Sequence, residues 1–179
     1  MAGRRIIAGV VLLIGVSAFL LSGGCGAATP AGTGSASGPA TTGSSSSSSE
    51  LVFNGTTLSG KSFDLAAYRG KPVVVNFWAS WCGWCAREMP DLVKFAAAHP
   101  DVVVIGVDVN DKVSDAQQFA AKYAITYPLV ADEQGAIFAH FDSQGLPTTV
   151  FYDKDLNVVD KIVGATDMTG FEAGLQKAQ

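Results

Sequence analysis

The stretch from Val73 to Ala98 constrains the fold more than any other part of the chain. Val73-Val74-Val75-Asn76-Phe77-Trp78 is β-branched and aromatic with one polar interruption, the pattern of a strand covered on both faces. After a gap of three residues comes Cys82-Gly83-Trp84-Cys85. From Cys82 to Ala98, Met89, Leu92, Val93 and Ala96 recur at three- and four-residue steps, as on one face of a helix. Pro90 falls inside that helix and predicts a kink, and His99-Pro100 ends it.

The rest of the chain after Glu50 extends this unit. Leu51-Val52-Phe53, Asn54-Gly55 and Thr56-Thr57-Leu58 read as a hairpin turning at Asn54-Gly55, and Ser62 to Leu65 as a further short strand. Asp101 to Val109 is a second apolar strand. Val113 to Ala124 is a second helix, with Ser114 as its cap. Tyr127 to Val130 is a short extended piece and Gln134 to Phe141 a short helix. Thr148–Tyr152 and Asn157–Val163 are strands joined by an Asp153-Lys154-Asp155 turn, and Asp167 to Lys177 is the closing helix. Parallel crossovers in the first half and a hairpin in the second predict an α/β fold with a mixed sheet flanked by helices. Residues 50–179 are one domain.

The cysteine pair carries the chemistry. At the first turn of a helix a sulfur meets unpaired backbone N–H groups and the positive end of the dipole. Thiolate is favoured there over thiol, and thiolate is the nucleophile. A cysteine three residues on points to the same side, nearly one turn later. Cys82 is therefore the expected attacking residue and Cys85 the resolving one. A zinc site would need a second pair, and His99 and His140 are not at finger spacing; no metal and no separate cofactor are expected beyond the redox-active Cys82–Cys85 pair. A purely structural disulfide across two residues is the remaining bland reading.

The N-terminus has a different composition. Arg4 and Arg5 precede an uncharged run from Ile6 to Leu21. That is the layout of an export signal, shorter than the roughly 20 apolar residues of a spanning helix. The Arg4-Arg5 pair also fits twin-arginine export, although a positive start is common to ordinary signals. Residues 26–49 are all Gly, Ala, Ser, Thr or Pro, a composition that cannot bury a core. As a flexible coil the segment spans about 25–30 Å; it is either a tether or a passive spacer. Every Asp and Glu lies at or beyond Glu50, and the chain carries a net charge of −4. An acidic domain without a basic stripe excludes nucleic acid as the expected partner.

Leu-Ser-Gly-Gly-Cys, ending at Cys25, resembles the lipobox of bacterial lipoproteins. Gly23 and Gly24 suit its small-residue positions, while Leu21 stands one place earlier than usual. The resemblance implies a signal peptide over 1–24, acylation of Cys25, and a lipid-anchored linker over 25–49. An uncleaved anchor, or cleavage with release, remain as alternatives. The first two put the domain on the extracytoplasmic face of a membrane.

The run VVVNFWASWCGWCAREMPDL resembles the active-site region of TlpA/ResA/DsbE-type thioredoxin-like proteins, and the likeness extends from Leu51 to the C-terminus. It implies a thioredoxin-like three-layer fold with an N-terminal β-hairpin and a central insertion before Pro147. It also implies roles for single residues. Trp81 matches the tryptophan before the first cysteine. Glu88 matches an acidic residue that influences the thiols, and Pro90 the helix-kinking proline. Gly145-Leu146-Pro147-Thr148-Thr149 matches a loop with a cis-proline facing the cysteines, which would leave the backbone of Leu146 to pair with an extended substrate. Asn76 stands where thioredoxin has a buried acid, so proton handling would rest on Glu88 or water. Trp84 is the departure, a large residue expected to contact a partner or narrow access.

The implied function is extracytoplasmic thiol–disulfide exchange on exported proteins. The leading form is a disulfide reductase, reset by a membrane thiol donor, with cytochrome c maturation as the implied setting. Gly83-Trp84 supplies neither histidine nor lysine to the Cys82 thiolate. That favours a reducing couple over a strong oxidant such as DsbA, at about −120 mV against about −270 mV for thioredoxin. A disulfide oxidase is the alternative. A copper-delivery protein is the alternative of another class, but its pattern has three residues between the cysteines and a histidine ligand, for which only His140 is available downstream. A thiol peroxidase would carry a threonine where Ala79-Ser80-Trp81 stands.

Overall fold

The computed structural model describes residues 51–179. The expected signal peptide, Cys25 and the linker lie outside the described residues. Seven strands form one mixed sheet: β1 (Asn54–Thr57), β2 (Ser62–Asp64), β3 (Val73–Trp78), β4 (Val103–Val109), β5 (Leu129–Asp132), β6 (Thr148–Tyr152) and β7 (Val158–Val163). Their order is β2-β1-β5-β4-β3-β6-β7. Strands β3, β4 and β5 run parallel; β6 is antiparallel to β3, β7 to β6, and β1 to β5. The helices are α1 (Gly83–Ala98), α2 (Val113–Lys122), α3 (Ala136–His140) and α4 (Met168–Ala178). This is the expected mixed α/β architecture, and β5 and α3 occupy the stretch expected as a central insertion before Pro147. No helix among the described residues is long and apolar enough to cross a membrane.

Strand alternation sorts the core into two layers. Val74, Trp78 and Val104 face a layer with Met89, Leu92 and Phe95 of α1, Phe119 of α2, and Phe171 and Leu175 of α4. Val73, Val75, Phe77, Ile105 and Val107 face the other, with Phe53, Phe63, Phe141 and Leu156. Asp167 caps α4 by accepting the Gly170 N–H at 3.1 Å. The Asp153 turn forms as expected, its carboxylate accepting the N–H groups of Asp155 and Asn157.

Two expectations fail. The N-terminal hairpin does not turn at Asn54-Gly55: both residues lie in β1, which pairs with β2 in the register Asn54↔Asp64. The turn is at residues 58–61, where Gly60 takes a left-handed φ of 81°. A Cβ on Gly55 would stand 3.1 Å from Val130 Cγ1, so this glycine permits close packing rather than a turn. Nor does Ser114 cap α2. The cap position is Lys112, which makes no side-chain cap bond, and Ser114 lies in the first turn with its hydroxyl toward Asp115.

Candidate active site

Strand β3 ends at Trp78, and Ala79 to Trp81 carry the chain to Cys82, the N-cap of α1. The Cys82 N–H donates to the Ala79 carbonyl at 3.1 Å and closes this turn. Cys82 Sγ accepts the Cys85 N–H at 3.1 Å, so the sulfur serves as the capping acceptor that Ser or Asp supplies in other helices. Cys82 and Cys85 form a disulfide with an S–S distance of 2.08 Å and a Cα–Cα distance of 5.3 Å. Cys82 retains 6% exposure and Cys85 none, so an incoming sulfur reaches the pair through Cys82.

The two tryptophans beside the pair lie open, Trp81 at 63% exposure and Trp84 at 61%. The Trp81 indole N–H donates to the Asn110 carbonyl at 3.1 Å, which fixes the ring. The Arg87 guanidinium lies over the Trp84 ring, 4.6 Å from its centroid. Trp84, Leu146, Gly164 and Ala165 line a shallow notch of about 250 Å³. The Leu146–Pro147 peptide is cis, and no backbone hydrogen bond among the described residues uses the N–H or C=O of Leu146.

Beneath the disulfide lies a polar core. Glu88, one turn after Cys85, is buried. Its carboxyl accepts from the Asn76 amide at 2.8 Å and from the Thr166 N–H at 2.8 Å, and Asn76 also donates to the Thr149 hydroxyl at 3.0 Å. Burial pushes the pKa of Glu88 up to about 7, against the opposing pull of these two N–H donors. Position 88 is therefore not an ordinary surface helix position, and Asn76 holds the acid in place.

Sequence reasoning missed a second acid. Asp108 on β4 is wholly buried, and its pKa is pushed up to about 8, first by burial and then by the neighbouring Asp111. The available signal was a lone acid within the run VVVIGVDV. Thr166 left no signal, because its contact with Glu88 depends on how α4 is approached. His140, the histidine a copper site would need, lies on α3, whose Phe138 packs on Phe77 in the layer away from the cysteines. Among the described residues no group of three His, Cys, Asp or Glu side chains is arranged to hold a metal ion.

Known proteins resemble this chain in sequence and in fold. Residues 50–161 match the AhpC/TSA family. The soluble secreted antigen MPT53 of Mycobacterium tuberculosis is 40% identical over 105 residues, covering 59% of this chain and 61% of the antigen, so the match spans about three-fifths of that relative. The thiol-disulfide oxidoreductase ResA of Bacillus cereus is 32% identical over 124 residues, covering 68% of this chain and 72% of ResA. The structure of MTB DsbF in its mixed oxidized and reduced forms superposes with a TM-score of 0.68 at 33% identity, over 73% of this chain and 97% of that one. A secreted Mycobacterium tuberculosis disulfide oxidoreductase homologous to E. coli DsbE gives 0.66 at 33% identity, over 71% and 96%. With its fold, its cysteine pair and these relatives in agreement, the chain belongs to the AhpC/TSA family, among the thioredoxin-like thiol–disulfide oxidoreductases of the TlpA/ResA/DsbE type.

Proposed function

We propose that this protein is an extracytoplasmic disulfide reductase acting on exported proteins, held at the membrane by a lipid on Cys25 or by an uncleaved N-terminal segment. The observation that carries the reading is the asymmetry of the pair: Cys82 caps the helix and keeps exposure, while Cys85 is sealed behind it. In the reduced enzyme, the Cys82 thiolate attacks a substrate disulfide. A Cys82–substrate bond forms, the substrate S–S bond breaks, and the departing substrate thiolate takes a proton from water. Cys85 gives its proton to Glu88 and attacks Cys82 Sγ; the Cys82–Cys85 bond forms, the Cys82–substrate bond breaks, and the second substrate thiolate leaves and takes a proton from water. The pair has then lost two electrons and the substrate has gained them. A membrane thiol donor restores the pair, and no bound cofactor takes part.

Pro147 and Leu146 align an extended substrate beside Cys82, and Trp81 and Trp84 contact it. The reducing direction is supported by the absence of histidine or lysine between the cysteines, and apocytochrome c, whose thiols must be free before haem attaches, is the substrate class the family resemblance suggests. Two measurements test this. The Cys82/Cys85 couple should equilibrate below about −200 mV, and a value near the −120 mV of a strong oxidant would replace the reductase with an oxidase. Cys85→Ala should accumulate mixed disulfides on Cys82 with envelope proteins, and Cys82→Ala should accumulate none; equal trapping by both overturns the assigned roles.

A further inference from the structure

Cys82 sits just past the exit of β3, and its two flanks differ in charge. In the sheet, β4 and β5 lie to one side of β3, and β6 and β7 to the other. On the β4–β5 side an open hollow beside Trp81 carries Asp111, Asp115 and Glu133 against Lys112. On the β6–β7 side Trp84 walls two hollows, one with Leu146, Gly164 and Ala165, the other with Gly83 and Arg87. Arg87 is the one charged side chain lining either of these.

Arg87 is exposed, and three residues after Trp84 it is that ring's neighbour on the surface of α1. Its guanidinium stands 4.6 Å from the Trp84 centroid, within cation–π range. Among the described residues no hydrogen bond or ion pair takes any of its N–H donors. Asp91, one turn further on, is paired instead with Lys94 at 3.3 Å. A long side chain loses rotamer freedom when it binds, and contact with the ring has already restricted this one. The fork of a guanidinium fits a carboxylate through two parallel N–H···O bonds.

We propose that Arg87, held on Trp84, is a specificity-determining residue that reads an acidic side chain in the substrate segment beside the disulfide; this rests on the reading of the protein as a disulfide reductase of exported proteins. In an extended segment, the residues two before and two after the cysteine lie on the cysteine's own face. A carboxylate at one of these positions meets Arg87 on the Trp84 flank. On the Trp81 flank it meets Asp111, Asp115 and Glu133, which repel it. The two flanks thus select both the charge of the segment and the direction in which it crosses Cys82. The chain carries a net charge of −4, so the attraction belongs to Arg87 and not to the surface as a whole.

The test is a single turnover of the reduced full-length protein with symmetric disulfides of short peptides. These differ only in Asp or Asn placed two residues before, or two residues after, a central cysteine. Oxidation of Cys82 and Cys85 is read by acid quench, alkylation and peptide mass spectrometry, and each rate is divided by that of the same peptide with dithiothreitol. In one of the two placements the Asp peptide should react about threefold faster than the Asn peptide. Arg87→Gln should abolish that preference, and Arg87→Glu should transfer it to a Lys peptide. Arg87→Gln should leave the rate with uncharged hydroxyethyl disulfide unchanged. The proposal is overturned if the parent protein prefers Asp in neither placement, or if the preference persists in Arg87→Gln. It is overturned too if Arg87→Gln slows hydroxyethyl disulfide as much as the Asp peptide, since Arg87 would then act on the cysteines. A reduced protein that leaves hydroxyethyl disulfide and every peptide disulfide intact overturns the reductase reading instead.

Discussion

On β3, Val73, Val75 and Phe77 turn to one side of the sheet and Val74, Asn76 and Trp78 to the other. The side with Phe77 is apolar, and the polar groups at its margins have fixed partners. The Tyr152 hydroxyl donates to Leu51 O, the Thr148 hydroxyl donates to Gly145 O, and Asp132 accepts two N–H groups of α3. The side with Asn76 carries the disulfide and Glu88, and it holds all the buried polar side-chain atoms left without a partner among the described residues: Asn76 Oδ1, Trp78 Nε1 and both oxygens of Asp108. Unsatisfied groups cost stability, and native proteins keep few of them. Here they gather in the layer that carries the disulfide. One layer has its polar groups paired, and the other holds unpaired polar atoms and two buried acids whose ionisation burial opposes.

The largest expected effect comes from the quiet layer. Phe77 is fully buried and packs on Phe138 and Phe141, with ring centroids 5.3 and 4.8 Å away. Phe77→Ala should destabilise the domain by about 3–5 kcal/mol in urea unfolding, as cavities of that size do. The potential of the cysteine couple should stay at its native value in the remaining folded protein. A potential that moves with this substitution would break the division between the layers.

An intermediate effect, with a change of sign, is expected at Glu88. Its pKa is 4.5 when exposed and about 7 in the fold. Between those pH values the unfolded chain has released a proton that the folded chain still holds. Stability therefore falls as pH rises through this window, and the whole cost, roughly 3 kcal/mol, remains above it. Glu88→Gln removes the titration but loses the acceptor for the Thr166 N–H, at about 1 kcal/mol. The variant should be less stable than the parent near pH 5 and more stable at pH 8, with the two curves crossing between. Parallel curves would mean that Glu88 is charged throughout and that the site-bearing layer carries no such cost.

The difference between the layers also explains what could be read from the sequence. The β3–cysteine–α1 unit was legible because its signals are local: a β-branched run, a short gap, a cysteine pair, and apolar residues at helical spacing. The hairpin turn was misplaced because Asn54-Gly55 carries the usual turn signal, while the reason for Gly55 is a contact with Val130 on a strand 75 residues away. Ser114 was misread because a serine near a helix start is a capping signal only if its backbone is outside the helix. Family resemblance pointed to Glu88, but its burial and its bond to Thr166 depend on tertiary packing. Asp108 was hidden by the apolar run that buries it.

The smallest effect belongs to the rim, where Trp84 should matter to encounter and hardly at all to folding. The ring is 61% exposed, so truncating it removes little buried area, and its stacking with Arg87 at 4.6 Å is of the exposed kind, worth about 0.5–1 kcal/mol. Trp84→Ala should therefore lower stability by less than about 1 kcal/mol. Its place is different on the substrate side, because it walls the notch shared with Leu146, Gly164 and Ala165. If a polypeptide lies along the cis-proline edge, its side chain next to the disulfide meets this wall. A small reagent such as hydroxyethyl disulfide has no peptide side chain to set against this wall. Kinetics on the two kinds of substrate separate the cases. Trp84→Ala should raise KM for a protein disulfide several-fold and leave turnover of hydroxyethyl disulfide nearly unchanged. An equal loss on both would make Trp84 a part of the cysteine environment, and would extend the reactive layer out to the surface that this ring covers.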